Sequence, residues 1–345
     1  MNHQRSRASA TSLLLDDALR VQHRQSRHAK RLPEKYPTEL PVRNEFELRF
    51  GILLSKLVIE MKKSTVLVFS LMIAALGFSI GSARAAQLVV FGDSLSDNGN
   101  TLAAAGVPQP PYYSGRFTNG PNWVDYFTNL AQLPPATAYL QNHGTNFAVG
   151  GSTSPLLGTQ ITVYLAANGG HANKDDLFAI WIGGNDFRAG VNPTTTLDSI
   201  QSGLALLRSA GAEKIVLLDL PDISLTPDII AAGGAVAQAA KQFVTTVNTS
   251  LQSRILLQAF LLGIKLTYVD VNATFTQIVE RPVLFGFSNS SGAAFNTRTG
   301  VVQPNPNSFV FWDGFHPTTP VHYICAQMLL SKLRAPANFL SLIEW

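Results

Sequence analysis

The chain has a single cysteine, Cys325, in 345 residues. No disulfide can therefore form within it, even in an oxidising compartment that would permit one, and a domain of this size does not need one. Charge is scarce as well: 14% of residues are Asp, Glu, Lys or Arg, against 46% hydrophobic. That balance excludes wholesale disorder and leaves enough apolar surface for a large core. A basic surface is missing too, once the net charge of +4 is followed along the chain. Residues 1–60 hold 11 Lys and Arg against 7 Asp and Glu, and Lys62, Lys63 and Arg84 add three cations. From Ala86 onward 12 basic side chains face 15 acidic ones, a formal charge of −3. The basic balance belongs to the leader, so a nucleic-acid partner has no support.

The leader has the order of a secretory signal. From Met61 it reads "MKKSTVLVFSLMIAALGFSIGSARAAQ": a methionine, two lysines, an uncharged run from Ser64 to Ala83, then Ala83-Arg84-Ala85 as a small-residue cleavage site. Such signals stand at a true N-terminus, so residues 1–60 are expected to be an upstream over-extension or leader, 61–85 the signal peptide and 86–345 one domain. The same apolar run could instead be a signal anchor, since roughly 20 uncharged residues span a bilayer. In either case the positive-inside rule sends the C-terminal part out of the cytoplasm, to a secreted or periplasmic location.

After Ala86 there is no internal repeat and no long low-complexity linker, and about 260 residues suit a single α/β domain. Five apolar runs predict strands: Gln87–Phe91, Thr145–Val149, Leu177–Ile182, Lys214–Leu220 and Lys265–Val271. Leu197, Ile200, Leu204 and Leu207 are spaced for one face of a helix that Gly211 stops. Near-continuous apolar strands alternating with helices predict a parallel sheet covered on both faces. Cys325 shares a helical stripe with Ile324, Met328, Leu329 and Leu333 and reads as a buried apolar residue. Leu284 to Asn307, rich in Asn, Ser, Gly and Pro, reads as a long surface loop.

In such a sheet the chemistry collects beyond the carboxyl ends of the strands. Three strands end there in polar or glycine clusters: Gly92-Asp93-Ser94, "NFAVGGS" with Gly150-Gly151, and "WIGGNDF" with Gly183-Gly184-Asn185-Asp186. A fourth cluster, "FWDGFHPTTP", carries Asp313 and His316 and ends in Thr319-Pro320, a cap and first-turn proline that predict a helix start. Each cluster alone is an ordinary turn or cap. Together they hold what acyl transfer needs: a hydroxyl nucleophile, a base, a group that orients the base, and donors for an oxyanion.

These blocks, "FGDSLSDNGN", "NFAVGGS", "GGND" and "DGFHP", lie in an order that resembles the GDSL esterase/lipase group of the SGNH hydrolases. The resemblance spans Phe91 to Pro317, and "SGRFTNGPNWVDYF" is similar to the branch of secreted lipases with longer loops. It implies a flavodoxin-like three-layer αβα sandwich, here with a five-stranded, mainly parallel sheet, and hydrolysis of carboxylic esters without a metal or organic cofactor. By the same resemblance Ser94 is the nucleophile, His316 the base and Asp313 its orienting partner. The backbone N–H groups of Ser94 and Gly150 and the amide of Asn185 form the oxyanion hole. The substrate is then a small-molecule or lipid ester, and the membrane enters only through the signal segment or a lipid substrate. A lipid acyltransferase or phospholipase on the same site is the alternative, and a non-catalytic carbohydrate- or surface-binding module a third.

Several other features read as structural. Gly77-Phe78-Ser79-Ile80-Gly81 matches the nucleophile elbow G-x-S-x-G but lies inside the signal's apolar run, where no strand and helix flank it. Asp97 and Asp186 are expected to brace the first and third loops. Arg116, among Tyr112, Tyr113 and Phe117, could contact an acyl donor's head group or pack its own loop. His322 falls early in the last helix, which argues against a metal cluster with Asp313 and His316. The signal reading predicts that N-terminal sequencing of exported protein begins at or near Ala86 and recovers none of residues 1–60; recovery of Met1–Glu60 on the mature protein would refute it.

Overall fold

Four of the five apolar runs form one parallel sheet in the computed structural model, which describes residues 86–335. The leader and signal segments expected at 1–60 and 61–85 lie outside the described residues, as do the last ten. The strands are β1 (Leu88–Gly92), β2 (Leu177–Trp181), β3 (Lys214–Leu218) and β4 (Lys265–Val269), in the order β1-β2-β3-β4 with every pairing parallel. Their side chains alternate between two cores, as strand geometry requires. Val89, Phe91, Phe178, Ile180, Ile215 and Leu217 point to one face, and Leu88, Val90, Ala179, Trp181, Val216 and Leu218 to the other.

Helices cover both faces, which is why the strands read as unbroken apolar runs. A short helix, α1 (Asn100–Ala105), follows the first turn; then come α2 (Trp123–Leu130), α3 (Leu157–Ala167), α4 (Pro193–Ser209), α5 (Gly234–Ser250), α6 (Leu256–Leu262), α7 (Val271–Glu280) and α8 (Thr319–Arg334). α3 to α6 supply the first core and α2, α7 and α8 the second. Leu197, Ile200, Leu204 and Leu207 are all buried on α4, and the chain leaves that helix through Gly211 at φ 111°. α8 starts where Thr319-Pro320 predicts, with Thr318 in the cap position; the Thr318 hydroxyl donates to Phe309 O at 2.7 Å and does not cap the helix. Cys325 is buried in the second core. Among the described residues no helix is long and apolar enough to cross a membrane.

Two expectations change. The fifth run, Thr145–Val149, lies along β1 through Val90 N–H to Thr145 O (3.0 Å), Phe147 N–H to Val90 O (2.8 Å) and Val149 N–H to Gly92 O (3.2 Å). It is an irregular member of the sheet, a single parallel bridge at Val90 and Asn146, so four regular strands stand in place of five. The cause is Asn146. Its own backbone turns to Thr137 and Tyr139, and its carbonyl also accepts from the Asn100 side chain. The stretch read as a surface loop, 284–307, is partly ordered by strands: Asn289–Ala293 pairs with Phe309–Phe311, and Phe295–Asn296 with Val301–Val302. Phe287, Ala294 and Phe295 anchor it, buried among polar neighbours that hid them.

Behind the first turn lies a buried polar knot. The Asp97 carboxylate accepts the backbone N–H groups of Gly99 (2.8 Å), Asn100 (2.7 Å), Thr101 (3.0 Å) and Gly150 (2.9 Å), together with the Thr101 hydroxyl. Asn100 reaches the carbonyls of Asn146 and Ala148, and the Asn146 amide reaches Ser96 O, so α1 and the 145–150 segment are tied to the turn after β1. Asp186 does the same for the third loop, accepting from Ser154 N–H at 2.8 Å and from the Thr196 hydroxyl at 2.7 Å. Both aspartates brace loops, as expected. Asp97→Ala leaves the backbone N–H groups of Gly99, Asn100 and Thr101 without their acceptor, while that of Gly150 keeps the Thr101 hydroxyl, and each unsatisfied buried group costs about 1–3 kcal/mol. The variant should lose about 3 kcal/mol or more in urea denaturation; wild-type stability would show the knot to be dispensable.

Candidate active site

The turn after β1 is held on both sides. Asp93 O accepts the N–H groups of Ser96 and Asp97 (3.0 and 2.9 Å), and the Gln160 amide grips Gly92 through its N–H and its C=O, at 2.8 Å each. A Cβ on Gly92 would stand 2.4 Å from Trp181 O, so only glycine lets β1 and β2 approach there. This places Ser94 at the carboxyl end of the sheet, 5% exposed. Its Oγ lies 2.8 Å from His316 Nε2.

His316 is held from its other side. Nδ1 lies 2.8 Å from Asp313 Oδ2 and 3.0 Å from Oδ1, the geometry that keeps the proton on Nδ1 and presents the Nε2 lone pair to Ser94. Asp313 Oδ1 also accepts the backbone N–H groups of Phe315 (2.8 Å) and His316 (2.7 Å), so the loop closes on its own carboxylate. Burial pushes the Asp313 carboxyl up, but the charge and hydrogen bonds of His316 and the hydrogen bond from Tyr112 outweigh it. The group sits below the usual carboxylate range and stays ionised. The three residues of the sequence-based triad are thus brought together in one chain of hydrogen bonds.

Tyr112 is the member that sequence reasoning missed. Its hydroxyl donates to Asp313 Oδ2 at 2.6 Å. Burial, then the Asp313 charge, push the phenol well above its ordinary value, so it remains a donor. Its ring packs edge-on against Phe117, Phe295 and Trp312. Phe117 in turn lies over the His316 ring, centroids 5.3 Å apart. No local pattern announces these contacts, because Tyr112 and Asp313 are 201 residues apart.

The oxyanion donors divide differently from expectation. The Gly150 N–H is already given to Asp97 Oδ2 (2.9 Å) and Thr101 Oγ1 (2.7 Å), which takes it away from the reacting carbonyl. Gly150 is glycine because a Cβ would stand 2.4 Å from the Phe117 ring. The next residue, Gly151, turns at φ 80°, and its N–H and that of Ser94 have no acceptor among the described residues. Asn185 shares a pocket wall with Ser94, and its amide donates to Ser152 O at 3.0 Å with a second N–H left over.

The remaining candidates are structural. Arg116 packs its loop, forking onto both Asp125 oxygens (3.0 and 2.7 Å) and donating to Ser114 O at 2.8 Å. His322 is buried with Nδ1 unpartnered, and desolvation pushes its imidazole down to about 3, so it stays neutral. Among the described residues no group of three or more His, Cys, Asp or Glu side chains is placed to hold a metal ion.

Comparison with known proteins gives a family match and several relatives. The profile of the family described as GDSL-like Lipase/Acylhydrolase matches residues 88–328. The thermolabile hemolysin of Vibrio parahaemolyticus is 29% identical over 279 residues, covering 71% of this chain but only 63% of the hemolysin. The phosphatidylcholine-sterol acyltransferase of Aeromonas hydrophila is 27% identical, with 74% of this chain and 92% of the acyltransferase covered. Among solved structures, an acetylxylan esterase from Geobacillus stearothermophilus aligns at 16% identity and a TM-score of 0.43, over 73% of this chain and 95% of that one.

The Tyr112 contact makes a signed prediction. Tyr112→Phe keeps the ring but removes its donor from Asp313, which leaves more negative charge facing Nδ1 and stabilises the protonated imidazole. The acid limb of the kcat/KM profile should move to higher pH, and the plateau should fall by no more than about ten-fold, in line with one lost hydrogen bond to a charged group. A purely structural tyrosine would lower Tm and leave the limb in place.

Proposed function

The chain belongs to the GDSL-like lipase/acylhydrolase family, and from that premise we propose that it hydrolyses carboxylic esters through an acyl-enzyme on Ser94. The observation that carries the reading is the run of contacts from Ser94 Oγ through His316 to Asp313 and Tyr112. Ser94 Oγ attacks the ester carbonyl carbon while its proton passes to His316 Nε2. The tetrahedral intermediate collapses, the bond to the alcohol oxygen breaks, and His316 hands that oxygen the proton. Water then attacks the acyl-enzyme, again losing a proton to Nε2; the bond to Ser94 breaks, Oγ recovers the proton and the acid leaves. Asp313 stabilises the imidazolium in both halves without itself taking the proton.

The oxyanion falls to the N–H groups of Ser94 and Gly151 and to the Asn185 amide. Gly151 replaces Gly150 in this set because the Gly150 N–H is engaged by Asp97 and Thr101. An alcohol in place of water would turn the same acyl-enzyme to acyl transfer, a second reading suggested by the similarity to the Aeromonas acyltransferase. A non-catalytic binding module is disfavoured by the hydrogen-bonded triad itself. Export belongs to the proposal and rests on the signal-like order of Met61 to Ala85.

Asn185 is the sharpest test. An oxyanion donor binds a charge that exists only in the tetrahedral states, so Asn185→Ala should lower kcat by roughly 10²–10³ and leave KM within a few-fold. Rates are to be taken per Ser94 titrated with a phosphonofluoridate, which corrects for misfolded protein. A near wild-type kcat per active site would remove Asn185 from the mechanism.

A further inference from the structure

A small pocket lies beside Ser94. It is a cavity of about 30 Å³ whose lining includes Ser94. Of the side chains around it only Leu95, Asn185 and Phe315 are partly exposed, and they mark the mouth. The far side is buried: Trp181 of β2, Phe275 of α7, and Val321 and Cys325 of α8 are 3%, 6%, 1% and 5% exposed. The pocket is thus walled by the nucleophile on one hand and by side chains of the second core, from β2, α7 and α8, on the other.

The chemistry of its wall decides what can enter. The polar side chains on the lining are Asp93, Ser94, Asn185 and Thr226. The Thr226 hydroxyl is spent on Ile223 O at 2.7 Å, and one Asp93 oxygen accepts the Leu95 N–H at 3.0 Å. The other lining residues are glycine or apolar, so a sugar, a head group or a hydroxylated alcohol would find few partners there to replace its hydration. A hydrocarbon needs none. The size then sets a limit, because a single water needs about 10–15 Å³ by the same kind of measure. The space holds two or three water-sized positions on that measure, or about two to four carbons of a linear chain.

Building on the acyl-enzyme reading of Ser94, we propose that this pocket receives the acyl chain of the ester and restricts it to a short one, with Phe275, Val321 and Cys325 as the stop. The alcohol then lies on the open side, past His316 and Phe117, where its size is unrestricted. Specificity resides in the acid half of the substrate.

The test begins with the wild-type protein and p-nitrophenyl esters from acetate to laurate, with kcat/KM taken per titrated Ser94. The optimum should fall at two to four carbons, with a loss of about ten-fold or more by eight, since each methylene that cannot be housed costs discrimination of that order. A profile that is flat or rises toward laurate overturns the proposal. Phe275→Ala and Cys325→Ala lengthen the pocket and should raise the octanoate-to-butyrate ratio about ten-fold or more; an unchanged ratio in titratable variants overturns it as well.

A measurement on the unaltered protein guards against variants that fail to fold. Cys325 is the only thiol in the chain, so its reaction with methyl methanethiosulfonate can be followed alone. Burial pushes its thiol up to about 12, and the reaction is correspondingly slow. Phosphonylation of Ser94 with a butyl phosphonofluoridate should slow it several-fold further than the methyl reagent does. Equal rates overturn the proposal. Failure of Ser94 to label, with no ester hydrolysed, would instead overturn the acyl-enzyme reading, so the two failures are distinguishable.

Discussion

The Asp97 carboxylate is the contact on which the site depends. Four backbone N–H groups and a hydroxyl converge on it from α1 and from the 145–150 segment, while its own N–H returns to Asp93 O. Such convergence in a buried place is costly to assemble and costly to break, because every donor would otherwise face an apolar core. Burial pushes the Asp97 carboxyl above its ordinary range, and those donors offset only part of the rise. The residue that brings two loops together thereby decides which backbone groups remain free for a substrate. It takes the N–H of Gly150, whereas that of Gly151 has no acceptor among the described residues.

Much of the fold was legible in order and type. Four of five apolar runs became regular strands because helices bury them on both faces, and their apolar character survives in any window of the chain. The fifth failed to become regular at Asn146, where side-chain and backbone bonding both leave the ladder. The Asn- and Gly-rich stretch at 284–307 misled in the opposite sense. Its strands rest on a few aromatics, Phe287 and Phe295 among them, that composition dilutes.

At the site, the triad could be read because Asp313 and His316 are three apart and Ser94 sits in a distinctive turn. Tyr112 and Phe117 could not, since their part is defined by packing across the whole chain. Gly150 and Gly151 show the limit most plainly. Two adjacent glycines are equivalent as letters, and only the partner that each N–H finds in the fold separates them.

Ser94 and His316 are 222 residues apart, and the histidine precedes α8, which packs against α2 in the second core. During synthesis the hydroxyl is therefore made long before its base. Until the final helix docks, Ser94 is an ordinary alcohol with no imidazole beside it. A growing or truncated chain lacking the last quarter of the domain has the serine without its histidine partner. On the acyl-enzyme reading proposed above, completing the fold is then the step that brings nucleophile and base together.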